Sequence, residues 1–203
     1  MSDVTAPQPP PLPEGLPVPV DDGAAAHLPG ASIPDLALWS TEGVEVDLGE
    51  LAAGSLVLYV FPKIGRPDEP SPPGWDETPG ARGCTQETCA FRDRHEEFSA
   101  LGYSVAGLSA QPPEELEEAS GRLRLSFPLL ADPERRLAAA LKLPTFEFAG
   151  LTVYKRLTLV ARARRIVKVF YPGSPRTRTR KRSWRGSAQR AELGVFEGPA
   201  GPV

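Results

Sequence analysis

The chain has 203 residues, a hydrophobic fraction of 40% and a formal net charge of −3. This length suits one domain with flexible ends or at most two small domains, and the weak net charge gives no reason to expect nucleic acid as a partner. No apolar run approaches the roughly 18 to 20 residues that span a bilayer, and the N-terminus has no basic start or apolar signal core. We therefore expect a cytoplasmic protein without a membrane partner.

The first 30 residues are unusually rich in proline, with 8 of the 24 prolines of the chain. They show almost no aliphatic periodicity, so this segment cannot bury enough apolar surface to order itself. We predict a disordered, proline-rich arm over residues 1–30 and a folded domain that begins at residue 31.

The first regular elements of the domain are predicted strands. Residues 44–51 are typical of a short strand that enters a helical turn, and the continuous apolar run over residues 54–62 predicts a central buried strand. Residues 63–83 are dense in proline and glycine and predict a long loop. Such loops within a compact domain are usually functional.

Helices and strands alternate after the loop. The pattern predicts a helix over residues 84–101, a strand over 103–110 and a polar helix over 112–125. Residues 127–143 then indicate a short segment, a turn and a further helix, and residues 153–171 indicate two strands joined by a basic turn. This order predicts a three-layer α/β domain, in which a βαβ unit is followed by an antiparallel hairpin.

The two cysteines of the chain, Cys84 and Cys89, lie five residues apart at the start of the predicted helix. Structural disulfides are uncommon in the cytoplasm, so a close pair of cysteines indicates redox or metal chemistry. Metal is the weaker hypothesis, because two thiols supply half a zinc site and the only histidines, His27 and His95, fit no ligand spacing with them. The alternative that both cysteines are simply small buried residues stays open at this point.

Cys84 stands at the predicted first turn of a helix, where free amides and the helix dipole favour an anion. Arg82 lies two residues upstream and adds positive charge. We therefore predict a thiolate with a pKa lowered from about 8.5 toward neutrality or below. Residues five apart in an intact helix have Cα atoms roughly 8–9 Å apart, whereas a disulfide requires less than about 7 Å. A disulfide between Cys84 and Cys89 would therefore require the start of the helix to unwind.

Four segments of the chain, YVFPK, PGARGCTQETCAFRD, FPLLADPE and RLTLV, resemble the peroxiredoxins. Within the AhpC/TSA redoxin family the resemblance is to the Q-type, or bacterioferritin-comigratory-protein-like, branch, and it extends over residues 31–172. It implies a single thioredoxin-like domain with a central mixed sheet flanked by helices. It also implies that Cys84 is the peroxidatic cysteine, Cys89 the resolving cysteine, Arg156 the active-site arginine and Pro62 the proline that opens the motif.

The residue types suit the implied peroxidase chemistry. A Cys84 thiolate would attack one peroxide oxygen while Arg156 donates hydrogen bonds to the developing charge. The resulting sulfenic acid would condense with Cys89, and a thioredoxin-like dithiol protein would reduce the disulfide. No cofactor or metal is implied. The alternative is a redox-sensing or thiol–disulfide interaction module on the same fold.

Two features depart from the pattern of the branch. Its usual threonine or serine three residues before the peroxidatic cysteine is replaced by Ala81, and the loop between Pro62 and Cys84 is longer than usual. Thr78 is the nearest upstream hydroxyl and the candidate to replace the missing one. An ordinary turn role for Thr78, before Pro79, is the alternative.

The last segment, residues 173–203, carries 7 lysines and arginines but only 2 acidic residues, and it lacks the apolar periodicity of a helix. One interpretation is a basic segment that binds nucleic acid or an acidic partner. However, GC-rich codons for residues 176–187 can encode DPDAEEVLAWL in another frame, which has the acidic start and amphipathic pattern of a helix. We therefore hypothesise that a single-base deletion or sequencing error near Gly173 made this tail a disordered frameshift product, which resequencing would test.

Overall fold

The computed structural model describes residues 7–9 and 11–173 of the chain. The predictions for the basic tail therefore lie outside the described residues, apart from Gly173. No helix in the described part is long and apolar enough to cross a membrane.

Seven of the nine strands in the described residues form one mixed sheet, in the order β2-β1-β5-β4-β3-β8-β9, and β6 pairs with β7 separately. The strands are β1 (Ala37–Ser40), β2 (Glu45–Asp47), β3 (Ser55–Val60), β4 (Tyr103–Ser109), β5 (Leu129–Ala131), β6 (Thr145–Phe148), β7 (Leu151–Tyr154), β8 (Leu157–Arg162) and β9 (Arg165–Phe170). The helices in the same part of the chain are α1 (Leu48–Leu51), α2 (Cys84–Asp93), α3 (His95–Ala100), α4 (Pro113–Leu123) and α5 (Arg136–Leu141).

The predicted βαβ unit is present as β3, α2, α3 and β4. Strands β3 and β4 pair in parallel, with Ser55 opposite Tyr103, while β3 pairs with β8 in the antiparallel direction, with Val60 opposite Leu157. β8 and β9 form the predicted antiparallel hairpin. The prediction of an α/β domain with a central mixed sheet is confirmed.

The sheet separates two apolar cores, and side chains of β3 alternate between them because successive residues of a strand face opposite sides. Leu56, Leu58 and Val60 belong to the first core, whereas Val57 and Tyr59 belong to the second. Residues of α1 and α5 pack in the first core, and residues of α2, α3 and α4 pack in the second. Helices therefore cover both faces of β3, which explains why its sequence is continuously apolar rather than alternating.

The helix predicted over residues 84–101 is interrupted. At Arg94 the backbone adopts φ −116° and ψ 7°, and its amide bonds to the carbonyl of Phe91, three residues back. α2 therefore ends at Asp93, and α3 is a separate short helix. The strands β1, β6 and β7 were not predicted, and each is only four residues long.

The core begins earlier than the predicted domain start at residue 31. Asp21 and Asp22 accept hydrogen bonds from the amides of Gly23 and Ala24, which turns the chain toward the sheet. Ala25 and Leu28, which follow this turn, are also buried in the first core. Ala25 and Leu28 therefore pack with the folded domain, whereas the domain boundaries and the disorder of the arm in solution stay predictions.

Candidate active site

Cys84 is the first residue of α2, as the sequence predicts. The residue before it, Gly83, has φ 101°, a left-handed conformation that glycine adopts without steric cost. This turn brings the long loop directly into the helix. The Cys84 side chain is only 2% exposed, and its thiol donates to the Ala81 carbonyl over 3.6 Å.

Arg156 approaches Cys84 from the start of β8. It immediately precedes β8, and because Val60 pairs with Leu157, the end of β3 and the start of β8 lie together. The Nη2 atom of Arg156 lies 3.2 Å from the Cys84 sulfur. The structure thus brings together the two residues that the resemblance assigns to one site, although they are 72 positions apart in sequence.

Arg156 is fixed by further hydrogen bonds. Its Nη2 donates to the carbonyls of Gly80 at 3.3 Å and Arg82 at 2.8 Å, and its Nη1 forms a 2.9 Å ion pair with Glu87. Its side chain is 1% exposed. Arg156 therefore holds together the end of the loop, the start of α2 and the start of β8, while its guanidinium faces the thiol.

Pro62 follows β3 and is buried at the same edge of the sheet. Its carbonyl accepts a 3.1 Å hydrogen bond from the hydroxyl of Ser109 at the end of β4. The next residue, Lys63, supplies a backbone hydrogen bond that lowers the pKa of Cys84. Pro62 thereby positions the backbone of Lys63 beside the Cys84 thiol.

Burial is the largest influence on the Cys84 thiol, and it raises the pKa because a charged thiolate is poorly solvated there. Arg156 and the backbone hydrogen bonds lower the pKa, whereas Glu87 raises it. The net direction is upward, so the predicted thiolate of lowered pKa is wrong for this closed arrangement. Arg82 contributes little free charge, because it pairs with Asp76 at 2.7 Å.

Thr78 does not donate its hydroxyl to the sulfur. It donates instead to the carbonyl of Gly74 at 2.8 Å, within a turn of the long loop. Thr78 lines a cavity of about 340 Å³ that Arg156 also lines, whereas Cys84 lines a different cavity. In this arrangement Thr78 stabilises a turn, and its role as a replacement hydroxyl stays a prediction.

Cys89 lies within the same intact helix and is 2% exposed. It packs in the second core, and burial raises the pKa of its thiol. Both cysteines are free thiols. Since α2 is continuous from Cys84 to Asp93, a disulfide between them requires a change in the backbone of this helix.

The long loop closes over Cys84 to form a cavity of about 300 Å³. Its lining includes Trp75 and the charged residues Lys63 and Arg122. Trp75 is 7% exposed. Its ring packs edge-to-face on Phe148 at the end of β6, with ring centroids 4.8 Å apart. The unpredicted hairpin β6–β7 therefore anchors the loop, so Trp75 both packs and covers the site.

Glu87 is a further residue of the site. Its place in the sequence favours a helix-surface charge or a salt bridge, and the structure shows a partly buried salt bridge with Arg156. Burial raises the pKa of this carboxyl, and Arg156 lowers it. The available signal was its position three residues after Cys84, which places both side chains on one side of the helix.

Nothing in the described residues indicates a resident metal. No three His, Cys, Asp or Glu side chains in this part of the chain lie together in a way that could hold an ion.

A cysteine at a helix start beside an arginine is the kind of environment in which reactive cysteines occur. The redoxin family profile matches residues 28–183, and the chain belongs to this family. It is 36% identical over 111 residues to peroxiredoxin Bcp of Bacillus subtilis, covering 55% of this chain and 61% of that protein. It is 30% identical over 142 residues to chloroplastic peroxiredoxin Q of Sedum lineare, covering 70% and 67%.

The fold is also similar to solved peroxiredoxin structures. Peroxidoxin BcpB of Mycobacterium tuberculosis matches with a TM-score of 0.58 and 26% identity, over 71% of this chain and 85% of that one. The bacterioferritin comigratory protein of Xanthomonas campestris has the same fold, with a TM-score of 0.56 and 20% identity over 77% and 87%. The chain spans about three fifths of the length of several curated relatives, including 62% of a putative peroxiredoxin of M. tuberculosis.

Proposed function

We propose that the chain is a thiol-dependent peroxidase that reduces hydrogen peroxide or organic hydroperoxides through Cys84. The observation that carries this proposal is the 3.2 Å contact between Arg156 Nη2 and the Cys84 sulfur at the start of a helix. The similarity to proteins named peroxiredoxin Q and Bcp supports it. We also propose a cytoplasmic location, in keeping with two free thiols in the described residues.

In the first step the Cys84 thiolate attacks one oxygen of the hydroperoxide, and the O–O bond breaks. The sulfur becomes a sulfenic acid, and the second oxygen leaves as water or an alcohol after taking a proton. Arg156 stabilises the charge on the sulfur and on the peroxide oxygens. Its Nε is buried without a hydrogen-bond partner among the described residues, so this N–H is a spare donor for a bound peroxide.

In the second step Cys89 acts as the resolving cysteine, which makes the protein an atypical two-cysteine peroxidase. The Cys89 thiol loses its proton and attacks the sulfenic sulfur of Cys84. The S–O bond breaks, the hydroxide takes up that proton and leaves as water, and a disulfide forms within one chain. The start of α2 has to unwind for this step. A thioredoxin-like dithiol protein then reduces the disulfide by exchange and restores both thiols.

A redox-sensing module is the second candidate, favoured by the burial of Cys84 and its raised pKa. A thiol in this environment is a thiolate only to a small extent near neutrality, so its oxidation would be slow. Such a protein would form the Cys84–Cys89 disulfide with peroxide but turn over poorly with any dithiol donor.

Peroxide consumption in the presence of a dithiol protein separates these functions. We expect steady turnover by the full chain and its loss in Cys84→Ser, because the attacking sulfur is removed. Cys89→Ser is the matched control: it should still consume one equivalent of peroxide per chain but should not form the intramolecular disulfide. Turnover that survives Cys84→Ser would overturn the peroxidase proposal, and disulfide formation without turnover would favour the sensor.

A further inference from the structure

The proline-rich segment at the N-terminus forms part of the wall of the Cys84 cavity. Pro11, Leu12 and Pro13 line the same cavity as Cys84. Farther along, Pro19 packs on the loop, where its Cβ lies 3.5 Å from the position that a Cβ on Gly80 would occupy. We call residues 11–22 the N-terminal strap.

The C-terminal end of the strap is bound to residues next to Arg156. Asp22 forms a 2.6 Å ion pair with Lys155, the residue before Arg156, and accepts a 2.8 Å hydrogen bond from the hydroxyl of Tyr171. The hydrogen bond from Lys155 has the largest effect in lowering the pKa of Asp22, and that from Tyr171 lowers it further. The carboxylate is therefore charged at neutral pH. This end of the strap therefore rests on a specific, charged contact.

The chain upstream of the strap is fastened to the helix that carries both cysteines. Arg92 of α2 donates through Nη1 to the carbonyl of Pro7 at 3.0 Å and to that of Leu123 at 2.9 Å. The same side chain pairs with Asp93. The N-terminal segment is thus held on both sides of the Cys84 cavity, by α2 and by the start of β8.

The strap itself makes few of the backbone hydrogen bonds and apolar contacts that would hold it permanently in place. Four of its twelve residues are prolines, which have no N–H to donate to a sheet. Val18 and Val20 remain 56% and 82% exposed. A segment with little buried apolar surface and few backbone hydrogen bonds opens at low free-energy cost.

We propose that the N-terminal strap closes the Cys84 cavity to bulky molecules and must be displaced before a protein reductant can reach the cysteines. The role of the reductant rests on the proposed function, whereas the closure concerns only physical access to the thiol. A small hydroperoxide fits a cavity of about 300 Å³ without displacing the strap. Cys84 is only 2% exposed, so a protein surface cannot approach it while Pro11, Leu12 and Pro13 line this cavity.

The test is the alkylation rate of Cys84 in the reduced full chain, followed with a small reagent and with a bulky one. Iodoacetamide is the small probe, a maleimide on a long polyethylene glycol chain is the bulky probe, and peptide mass spectrometry locates the label. Asp22→Asn removes the charged fastening and should raise the rate with the bulky probe about threefold to fivefold, the effect of losing a surface ion pair. The rate with iodoacetamide should change much less.

Asp21→Asn is the matched control. Asp21 makes the same kind of turn contact one residue earlier, to the amide of Gly23, whereas the contacts to Lys155 and Tyr171 belong to Asp22. It should leave both rates unchanged. A second variant, Tyr171→Phe, removes one hydroxyl from the fastening and should raise the rate with the bulky probe less than Asp22→Asn does.

Deletion of residues 1–20 is the decisive variant, because it removes most of the strap and keeps the buried residues Ala25 and Leu28. It should raise the rate with the bulky probe more than Asp22→Asn does. An unchanged rate would overturn the strap proposal, as would an equal rise for both probes, which would indicate general loosening. Since alkylation needs no peroxide turnover, an inactive protein with a working strap would remove only the peroxidase proposal.

Discussion

Cys84 experiences two opposed influences in this structure. Burial disfavours the thiolate, while the Arg156 guanidinium at 3.2 Å and the backbone amides at the helix start favour it. The net direction is a raised pKa, so the thiol is mostly protonated at neutral pH. A protonated thiol is also consistent with donation to the Ala81 carbonyl.

The pH dependence of Cys84 alkylation follows from this balance. The raised pKa means that the thiolate fraction is small near pH 7 and grows as the pH rises, so the rate should increase through the ordinary thiol pKa of about 8.5 and beyond. The measurement is the rate of Cys84 alkylation by iodoacetamide across a range of pH, with the label located at Cys84. A midpoint below pH 7 would contradict this prediction and would restore the activated thiolate expected from the sequence.

Arg156→Met extends the same measurement. It removes the neighbouring charge that lowers the pKa, so the midpoint should move further upward. Arg66→Met is the matched control, because Arg66 is half-exposed and pairs with Glu69 at the rim of the same cavity. Equal midpoints in the two variants would remove Arg156 from the electrostatics of the thiol.

At the scale of secondary structure, α2 is the element on which the proposed chemistry depends. It carries both cysteines in one continuous helix, and the spacing of five residues is too long for a disulfide in that geometry. A helix start held by Gly83, without a side-chain cap, is also the end where local unwinding is easiest. The reduced and oxidised forms should therefore differ at residues 84–90.

Hydrogen exchange of α2 measures this difference. In the disulfide form the amides of residues 84–90 should exchange faster than in the reduced form, because their helical hydrogen bonds are broken. Cys89→Ser treated with peroxide is the control, since it oxidises at Cys84 without forming the disulfide. Equal protection of wild-type α2 in both redox states would rule out the unwinding model.

The sequence predicted those elements whose signal is local. The apolar run of β3, the start of α2 at Cys84 and the parallel pairing of β3 with β4 all follow from residue patterns and chain order. The ion pair of Glu87 with Arg156 did not, because Arg156 approaches from the start of β8, 69 positions away. The raised pKa of Cys84 did not either, because it results from burial by surrounding segments, and Arg156 only partly offsets it. The hairpin β6–β7 was missed because its strands are only four residues long, too short to give a clear alternating pattern.

At the scale of the whole molecule, Tyr59 connects the sheet to the helix that carries the cysteines. Its ring stacks on Phe91 of α2 with centroids 4.4 Å apart and lies edge-on to Phe127 at 6.0 Å. It is fully buried, and burial raises the pKa of its hydroxyl far above the ordinary value. Any change that moves Tyr59 therefore acts on the second core and on α2 together.

Gly107 of β4 provides a test of this packing. A Cβ at this position would lie 2.7 Å from the Tyr59 ring and 2.6 Å from Leu129, closer than side chains tolerate. Gly107→Ala should therefore lower the free energy of unfolding by about 1–3 kcal/mol through overpacking. Gly121→Ala in α4 is the matched control: nothing lies within 4 Å of its Cβ position, and alanine should stabilise the helix by about 0.5–1 kcal/mol. Denaturant unfolding measures both values, and a Gly107→Ala protein as stable as the wild type would show that the Tyr59 layer is loosely packed.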